Sequence, residues 1–338
     1  MQSPFVIGDT AIHPGTRTTV QLPIASLYTH TKMELPIHII HGKREGARLF
    51  VSAAIHGDEL NGVEIIRRLL KQKSLQNIKG TLVAIPIVNM FGLIQHSRYL
   101  PDRRDLNRSF PGSARGPLAS RLANIFTESI IKQCTHGIDL HTGALHRTNL
   151  PQIRADLDDK ETNSLARAFG VPVLINSTLR DGSLREAAAE LGVKSLLYEA
   201  GEALRFDDLS INAGLKGILH VMRKLDMLRP SKQKNTNEPF IARSSAWLRA
   251  PHGGVFRNVQ KLGKHVKKGE LIGTISDPTD IFSDTEYPIH AQRAGIIIGK
   301  TNLPLVNEGD ALYHIAYFED STEVAQEVEI FAQDFDLG

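Results

Sequence analysis

The apolar run that begins at Arg48 in RLFVSAAIHGDELNG ends in His56, Gly57, Asp58 and Glu59, and a second apolar run, in GIDLHTG, ends in His141. A neutral imidazole and a carboxylate are donors that zinc accepts, and a catalytic zinc needs three protein ligands and one open position. His56, Glu59 and His141, supplied by two strand ends, would make such a site. The His-x-x-Glu spacing is weak by itself, because a chain with 14 histidines is expected to contain about one by chance. Taken alone, the first segment reads equally well as a helix capped by Asp58 beside an ordinary loop histidine. Two more groups add chemistry. SRYLPDRRDLNRSFPG, residues 97 to 112, holds four arginines and an asparagine between proline and glycine. This suggests a fixed loop whose guanidinium groups suit carboxylate recognition. Glu199, in SLLYEAGE, ends a run too apolar for a casual acid. Near a metal-bound water it could act as general base, and otherwise it would be a cap or ion-pair acid.

Elements of a particular kind must carry these residues. Residues 17 to 43 alternate apolar and polar side chains and predict a strand or hairpin. RLFVSAAI, TLVAIPIV, GIDL, VPVLIN and VKSLLYEA read as strands covered on both faces. ELNGVEIIRRLLKQ, PLASRLANIFTESIIKQ, SLREAAAELG and LSINAGLKGILHVMRKLDML carry helical periodicity. Strands alternating with helices predict a mainly parallel α/β sheet flanked by helices. In such a sheet the ligand site lies at the C-terminal edge of the strands. This body spans residues 1–228. Residues 229–239, RPSKQKNTNEP, read as a linker. Residues 240–338 carry short β runs separated by Gly-Gly, Lys-Lys-Gly and Glu-Gly-Asp turns and predict a smaller all-β domain.

Bulk properties narrow the class. The chain has 338 residues and a net charge of +3 with neutral histidines, too small to suggest nucleic acid as the main partner. Its single cysteine, Cys134, excludes an intramolecular disulfide and a thiolate zinc cluster and reads as a core residue. No apolar run of about 18 residues could cross a membrane, and the opening MQSPFVIGDTAIHPG lacks the pattern of a secretory signal. A cytoplasmic protein is expected, with a homo-oligomer admitted.

His56-Gly-Asp-Glu59, Asp105-Leu-Asn-Arg-Ser-Phe-Pro-Gly112, Asp139-Leu-His-Thr-Gly143 and Glu199-Ala-Gly201 occur in this order. Together they resemble the succinylglutamate desuccinylase/aspartoacylase family, which belongs with the zinc carboxypeptidases. The resemblance implies a zinc-carboxypeptidase-like fold and one Zn2+ per chain, held by His56, Glu59 and His141. It implies Glu199 as the base, Asn107 and Arg108 as the pair that binds the substrate's free carboxylate, and an earlier arginine that steadies the oxyanion. Arg98 fits that arginine best, with Arg103 and Arg104 as the other candidates. The implied activity is hydrolysis of the amide bond of an N-acyl amino acid or similar small molecule. A carboxypeptidase acting on small peptides and a non-catalytic homologue are the alternatives.

Several neighbours take secondary expectations. Asp58 is expected to cap the helix or to orient a ligand histidine, and Asp139, on the same strand face as His141, could do likewise. Arg185, in DGSLREAA, is expected in a surface ion pair rather than in the cleft. APHGGVFRNVQKLGKHVKKGELIGTISD, with the β runs after it, resembles the barrel-sandwich fold of lipoyl and biotinyl carrier domains. Residues 269 to 299 contain no lysine, so a structural or substrate-shielding module is expected, with SDPTDIFSDTEYP leaning over a neighbouring site.

Overall fold

The computed structural model describes residues 2–231, 239–280, 282, 285–318, 328–331 and 333. Most of the expected linker, and parts of the acidic turn and of the C-terminal tail, lie outside these residues. Among them, no helix is long and apolar enough to cross a membrane.

The predicted hairpin is the antiparallel pair Thr16–Ser26 and Lys32–His41. Four parallel strands follow it through the sheet: Lys79–Ile85, Arg44–Ala53, His136–Gly143 and Lys194–Glu202. Alternation along Arg44–Ala53 explains the two-sided burial. Leu49, Val51 and Ala53 face one hydrophobic cluster, while Phe50 faces the other, as side chains of period two must. Helices Asn61–Leu70, Lys160–Phe169 and Asp208–Lys224 contribute to the first cluster. Helices Met90–Gln95, Leu118–Ser129 and Leu184–Glu190 contribute to the second. Four helix starts carry side-chain caps: Asn89 accepts from the Gly92 amide, Asp159 from that of Thr162, Ser183 from that of Glu186 and Asp207 from that of Ser210.

A central strand of the main sheet was not legible in the sequence. Arg147–Ala155 runs antiparallel to Lys194–Glu202. Its sequence, RTNLPQIRA, alternates poorly and contains a proline, which argues against a strand in the middle of a sheet. This strand also joins the C-terminal segment to the body. Its first residues pair with Gly295–Thr301, which pairs with Ala311–Tyr317, which pairs with Ser244–Arg249. The thirteen-stranded mixed sheet therefore passes from the α/β body into the C-terminal residues without a break. A separate four-stranded antiparallel sheet lies beside it, and Phe256, Ile275, Ile297, Leu312 and Tyr313 share one core there. Beyond residue 240 the described residues form strands up to Tyr317, and residues 328–331 are helical.

Candidate metal centre and active-site cavity

The strand Arg44–Ala53 stops one residue before Ala54, which takes a left-handed φ of +50° and turns the chain out of the sheet. A Cβ at Gly57 would lie 2.0 Å from the backbone carbon of Gly92. Only glycine lets this loop lie against the helix Met90–Gln95. The Glu59 amide closes a turn on the His56 carbonyl at 3.1 Å. The loop thus brings two buried side chains to the sheet's C-terminal edge, where His141, on the parallel neighbour His136–Gly143, meets them.

Among the described residues, His56, Glu59 and His141 form a group able to hold a metal ion, with one ligand atom from each all within 4.8 Å of one another. The two imidazole centroids are 5.0 Å apart. Both histidines turn Nδ1 onto the same carboxylate: His56 Nδ1 lies 2.7 Å from Glu59 Oε1, and His141 Nδ1 lies 2.8 Å from Oε2. Both give the outer nitrogen to another acid. His56 Nε2 is 3.1 Å from Asp105 Oδ1, and His141 Nε2 is 2.7 Å from Asp139 Oδ2. Asp139 also accepts from Ser52 Oγ at 2.8 Å, and Asp105 accepts from the Asn107 amide at 2.8 Å. Carboxylates behind both histidines are the usual support of metal-bound imidazole, since they set the tautomer and the ring plane.

The electrostatics point to a cation. Burial opposes charge on Glu59, yet His56 and His141 outweigh it and hold the carboxyl well below its ordinary range. Burial likewise pulls on both imidazoles. The Glu59 carboxylate and the bonds to Asp105 and Glu59 raise His56, and Asp139 with Glu59 raises His141 further. Two imidazoles converging on one buried carboxylate, each backed by a second, form a site that lowers its energy by taking positive charge. The donor set, two nitrogens and one carboxylate oxygen, fits zinc.

The other expected site residues surround this centre. Arg98 donates to Glu59 Oε1 at 3.3 Å and to Asp105 Oδ2 at 3.0 Å, and it lines the cavity. Arg103 and Arg104 are exposed and do not line it. Asn107 is buried and accepts the Leu184 amide at 2.9 Å on its Oδ1, while Arg108 makes no ion pair with a described residue. Glu199 stands in register with His141 on the adjacent parallel strand, just before a bulge. Asn149 donates to its Oε1 at 2.7 Å, and Arg154 holds its Oε2.

Two expectations fail. Asp58 does not cap the helix, whose N-cap position is Leu60 without a side-chain bond, nor does it reach a histidine. Its buried Oδ1 has no hydrogen-bond partner. Arg185 is not in a surface ion pair. It is only 6% exposed and lines the cavity. Its guanidinium donates to Ser177 Oγ at 3.3 Å and to the Thr178 carbonyl at 3.2 Å. Burial, with repulsion from Arg154 and Arg180, lowers it to about 10.

The cavity encloses about 780 Å³. Its far wall went unread in the sequence, because it is built from the unpredicted strand and from C-terminal residues far beyond it in the chain. Arg147, Asn149 and Arg154 come from the former, and Ser244 to Trp247 with His314 from the C-terminal strands. The described residues of the acidic turn near position 282 do not line it. Trp247 stacks on His314 with centroids 4.7 Å apart and planes 11° off parallel, and the Arg147 guanidinium lies 5.2 Å from the indole centroid. The imidazole of His314 is lowered to about 3 by burial and by Arg154 and Arg180, so it is neutral.

Comparison with known proteins matches this arrangement to a described group. The model of the Succinylglutamate desuccinylase/Aspartoacylase catalytic domain matches residues 45–225. The chain is 26% identical over 300 residues to N-alpha-acetyl-L-2,4-diaminobutyric acid deacetylase of Halomonas elongata, a match spanning 85% of this chain and 86% of the relative. A succinylglutamate desuccinylase/aspartoacylase structure from Rhodobacter sphaeroides superposes with a TM-score of 0.79 at 24% identity, covering 90% of this chain and 95% of that one. The product-bound ectoine utilization protein EutE (DoeB) from Ruegeria pomeroyi superposes with a TM-score of 0.80 at 23% identity, covering 94% and 99%. These superpositions extend over the C-terminal strands as well as the α/β body.

Proposed function

Because the chain belongs to the succinylglutamate desuccinylase/aspartoacylase family, we propose that it is a zinc-dependent hydrolase that cleaves the amide bond of an N-acyl amino acid or a related small N-acyl compound. The observation that carries this reading is the convergence of both histidine Nδ1 atoms on Glu59 with Asp105 and Asp139 behind them. A zinc ion held by His56, Glu59 and His141 would acidify a water molecule and polarise the amide carbonyl.

The chain's own groups supply the rest. Arg108 and the Asn107 side chain take the substrate's free carboxylate, the first by charge and the second by its amide. The Asn107 bond to the Leu184 amide fixes that side chain before substrate arrives. Arg98, anchored on Glu59 and Asp105, presents positive charge where the amide oxygen becomes negative. Glu199 takes a proton from water and delivers it to the departing nitrogen. Its hydrogen bonds from Asn149 and Arg154 fix the orientation of the carboxylate. Water and amide become carboxylate and amine, with no other co-reactant.

The proposal divides the chain into a deacylase body over residues 1–228, a linker over 229–239 and a barrel-sandwich module over 240–338 that bounds the substrate space. Ser244 to Trp247 and His314 along one cavity wall support that bounding role, and the walled cavity favours small substrates. The test is metal analysis of the purified protein together with hydrolysis of a panel of N-acyl amino acids. Close to one equivalent of zinc is expected, with activity lost in Glu199→Gln while zinc stays, and both lost in His56→Ala. Release of free amino acids from unblocked peptides alone would point to a carboxypeptidase. Full activity of Glu199→Gln would remove its role as base.

A further inference from the structure

A second cavity, of about 740 Å³, lies at the opposite end of the strand Arg44–Ala53 from the metal centre. The strand's ten residues, at about 3.3 Å each, put the two about 30 Å apart. Arg17, Lys43, Arg44 and Arg229 line it, and among the described residues no carboxylate does. One sign throughout is informative in a chain whose 40 lysines and arginines are nearly balanced by 37 acids. Burial holds the His41 imidazole in this wall below its ordinary value, so it adds no charge at neutral pH. Three separate segments bring the cations together. Arg17 comes from the strand Thr16–Ser26, Lys43 and Arg44 from the turn after Lys32–His41, and Arg229 from beyond helix Asp208–Lys224. None of the four forms a salt bridge with a described residue. The acids close to them in sequence are placed elsewhere: Asp226 pairs with Lys79, and Glu45 stands outside the wall. The backbone of the wall is closely fitted. A Cβ at Gly42 would fall 2.2 Å from the Ile78 carbonyl oxygen, so glycine alone lets the turn seat there. The Gly15 amide donates to the His41 carbonyl at 2.7 Å, and Arg17 donates to the Leu70 carbonyl at 3.1 Å.

We propose that this cavity, formed by Arg17, Lys43, Arg44 and Arg229, binds a compact anion that carries two or more phosphate groups. The site is separate from the catalytic cavity and does not depend on the hydrolase reading. Four cations gathered without an acid repel one another, and a bound anion removes that repulsion. Each phosphate group brings close to two negative charges at neutral pH, so two such groups match four cations where a single carboxylate leaves most of the charge unmet. Three guanidinium groups offer paired N–H donors with the spacing of phosphate oxygens, and Lys43 adds a compact point charge. Thr16, Gln76 and Asn77 line the same space and supply neutral donors. The four cations are exposed, so the occupant exchanges freely and its affinity falls with salt. Because the cations belong to segments far apart in the chain, one occupant ties the N-terminal hairpin to the end of the α/β body.

Calorimetric titration of the full chain tests the site. Inorganic pyrophosphate and fructose 1,6-bisphosphate are the probes, which separate a free phosphate anion from a phosphate ester, and citrate is the carboxylate control. At least one of the two phosphates is expected to bind with a Kd below about 100 μM in about 50 mM salt, and at least about fivefold more weakly in about 300 mM salt. Arginines also line the catalytic cavity, so the titration is repeated on Arg17→Gln/Arg229→Gln and on Arg180→Gln. The double variant should lose at least about tenfold in affinity, the loss expected for two charge-assisted contacts, and Arg180→Gln less than about twofold. Both altered positions in the double variant are exposed, and an unchanged melting temperature without ligand shows that it folds. Binding of either phosphate, lost in the double variant, supports the site and identifies which source it takes. Absence of binding by both phosphates overturns it, as does an affinity for both that the double variant retains. Citrate bound as tightly as the better phosphate overturns the assignment to phosphate.

Discussion

The two sides of the cavity are built in different ways. On one side, His56, Glu59 and His141 are nearly inaccessible, and each makes at least two hydrogen bonds to other buried or half-buried groups. They stand at the ends of parallel strands whose registers pair with one another. On the other side, Arg147 and Arg180 are half-buried or exposed, Trp247 is half-buried, and the contacts that fix them are a ring stack and a cation–π approach. A centre that holds a metal must keep its donors in place to within about half an ångström. A wall that chooses among small substrates tolerates, and can use, side chains that adjust. Side-chain hydrogen bonds are concentrated around the candidate metal ligands and are sparse on the opposite wall.

The contrast predicts a graded set of effects. The largest should follow Glu59→Gln, which removes the charge shared by both histidines. Zinc affinity should fall by more than about 100-fold, beyond the loss typical of an outer partner, as read by competition with a chelator. Asp139→Asn keeps all three donors but weakens the hold on the His141 ring, so zinc affinity should fall by about 10- to 100-fold in the same assay. A fall below twofold would mean that Asp139 does not orient the ring. On the opposite wall, Trp247→Ala should leave zinc affinity alone and raise KM for an anionic substrate roughly two- to fivefold, the loss expected for about 0.5–1 kcal/mol of cation–π support to Arg147. A change in bound zinc would show that the two sides are not independent.

Smallest of all is Asp159→Ala, remote from both sides. It removes the cap of helix Lys160–Phe169 and should cost about 1 kcal/mol of stability with no change in KM. The Lys194 hydrogen bond, then the bonds from Thr162, hold the Asp159 carboxyl down at about 2, against 3.8 unperturbed. A depressed folded value stabilises above the unfolded value, so this contribution is present above about pH 4. It fades as the pH falls towards 2. The stability difference between wild type and Asp159→Ala, read from thermal melts, should therefore narrow over that range. Cys134, buried with its thiol pushed up to about 12 by burial, should resist alkylation at neutral pH until the protein unfolds.

The grouping of the candidate ligands was legible in the sequence because its pattern is local. A strand end carries His56 and Glu59 within four residues, a second strand end carries His141 two residues after Asp139, its hydrogen-bond partner, and apolar runs announce the strands. Residue types and short spacings therefore determined the candidate ligands, the α/β body and the β-strands between Phe240 and Tyr317. The tertiary structure alone decided the opposite wall. The strand Arg147–Ala155 lacks the alternation that would betray it, since it is covered on both faces and interrupted by Pro151. Trp247 and His314 reach the cavity only because the C-terminal strands continue the main sheet. Arg185 carries no mark of burial in a polar stretch, and its surroundings come from residues that folding brings to it. Burial, partner identity and the balance of charge in a shared cavity depend on contacts between distant positions, and the order of residues along the chain does not encode them in any local pattern.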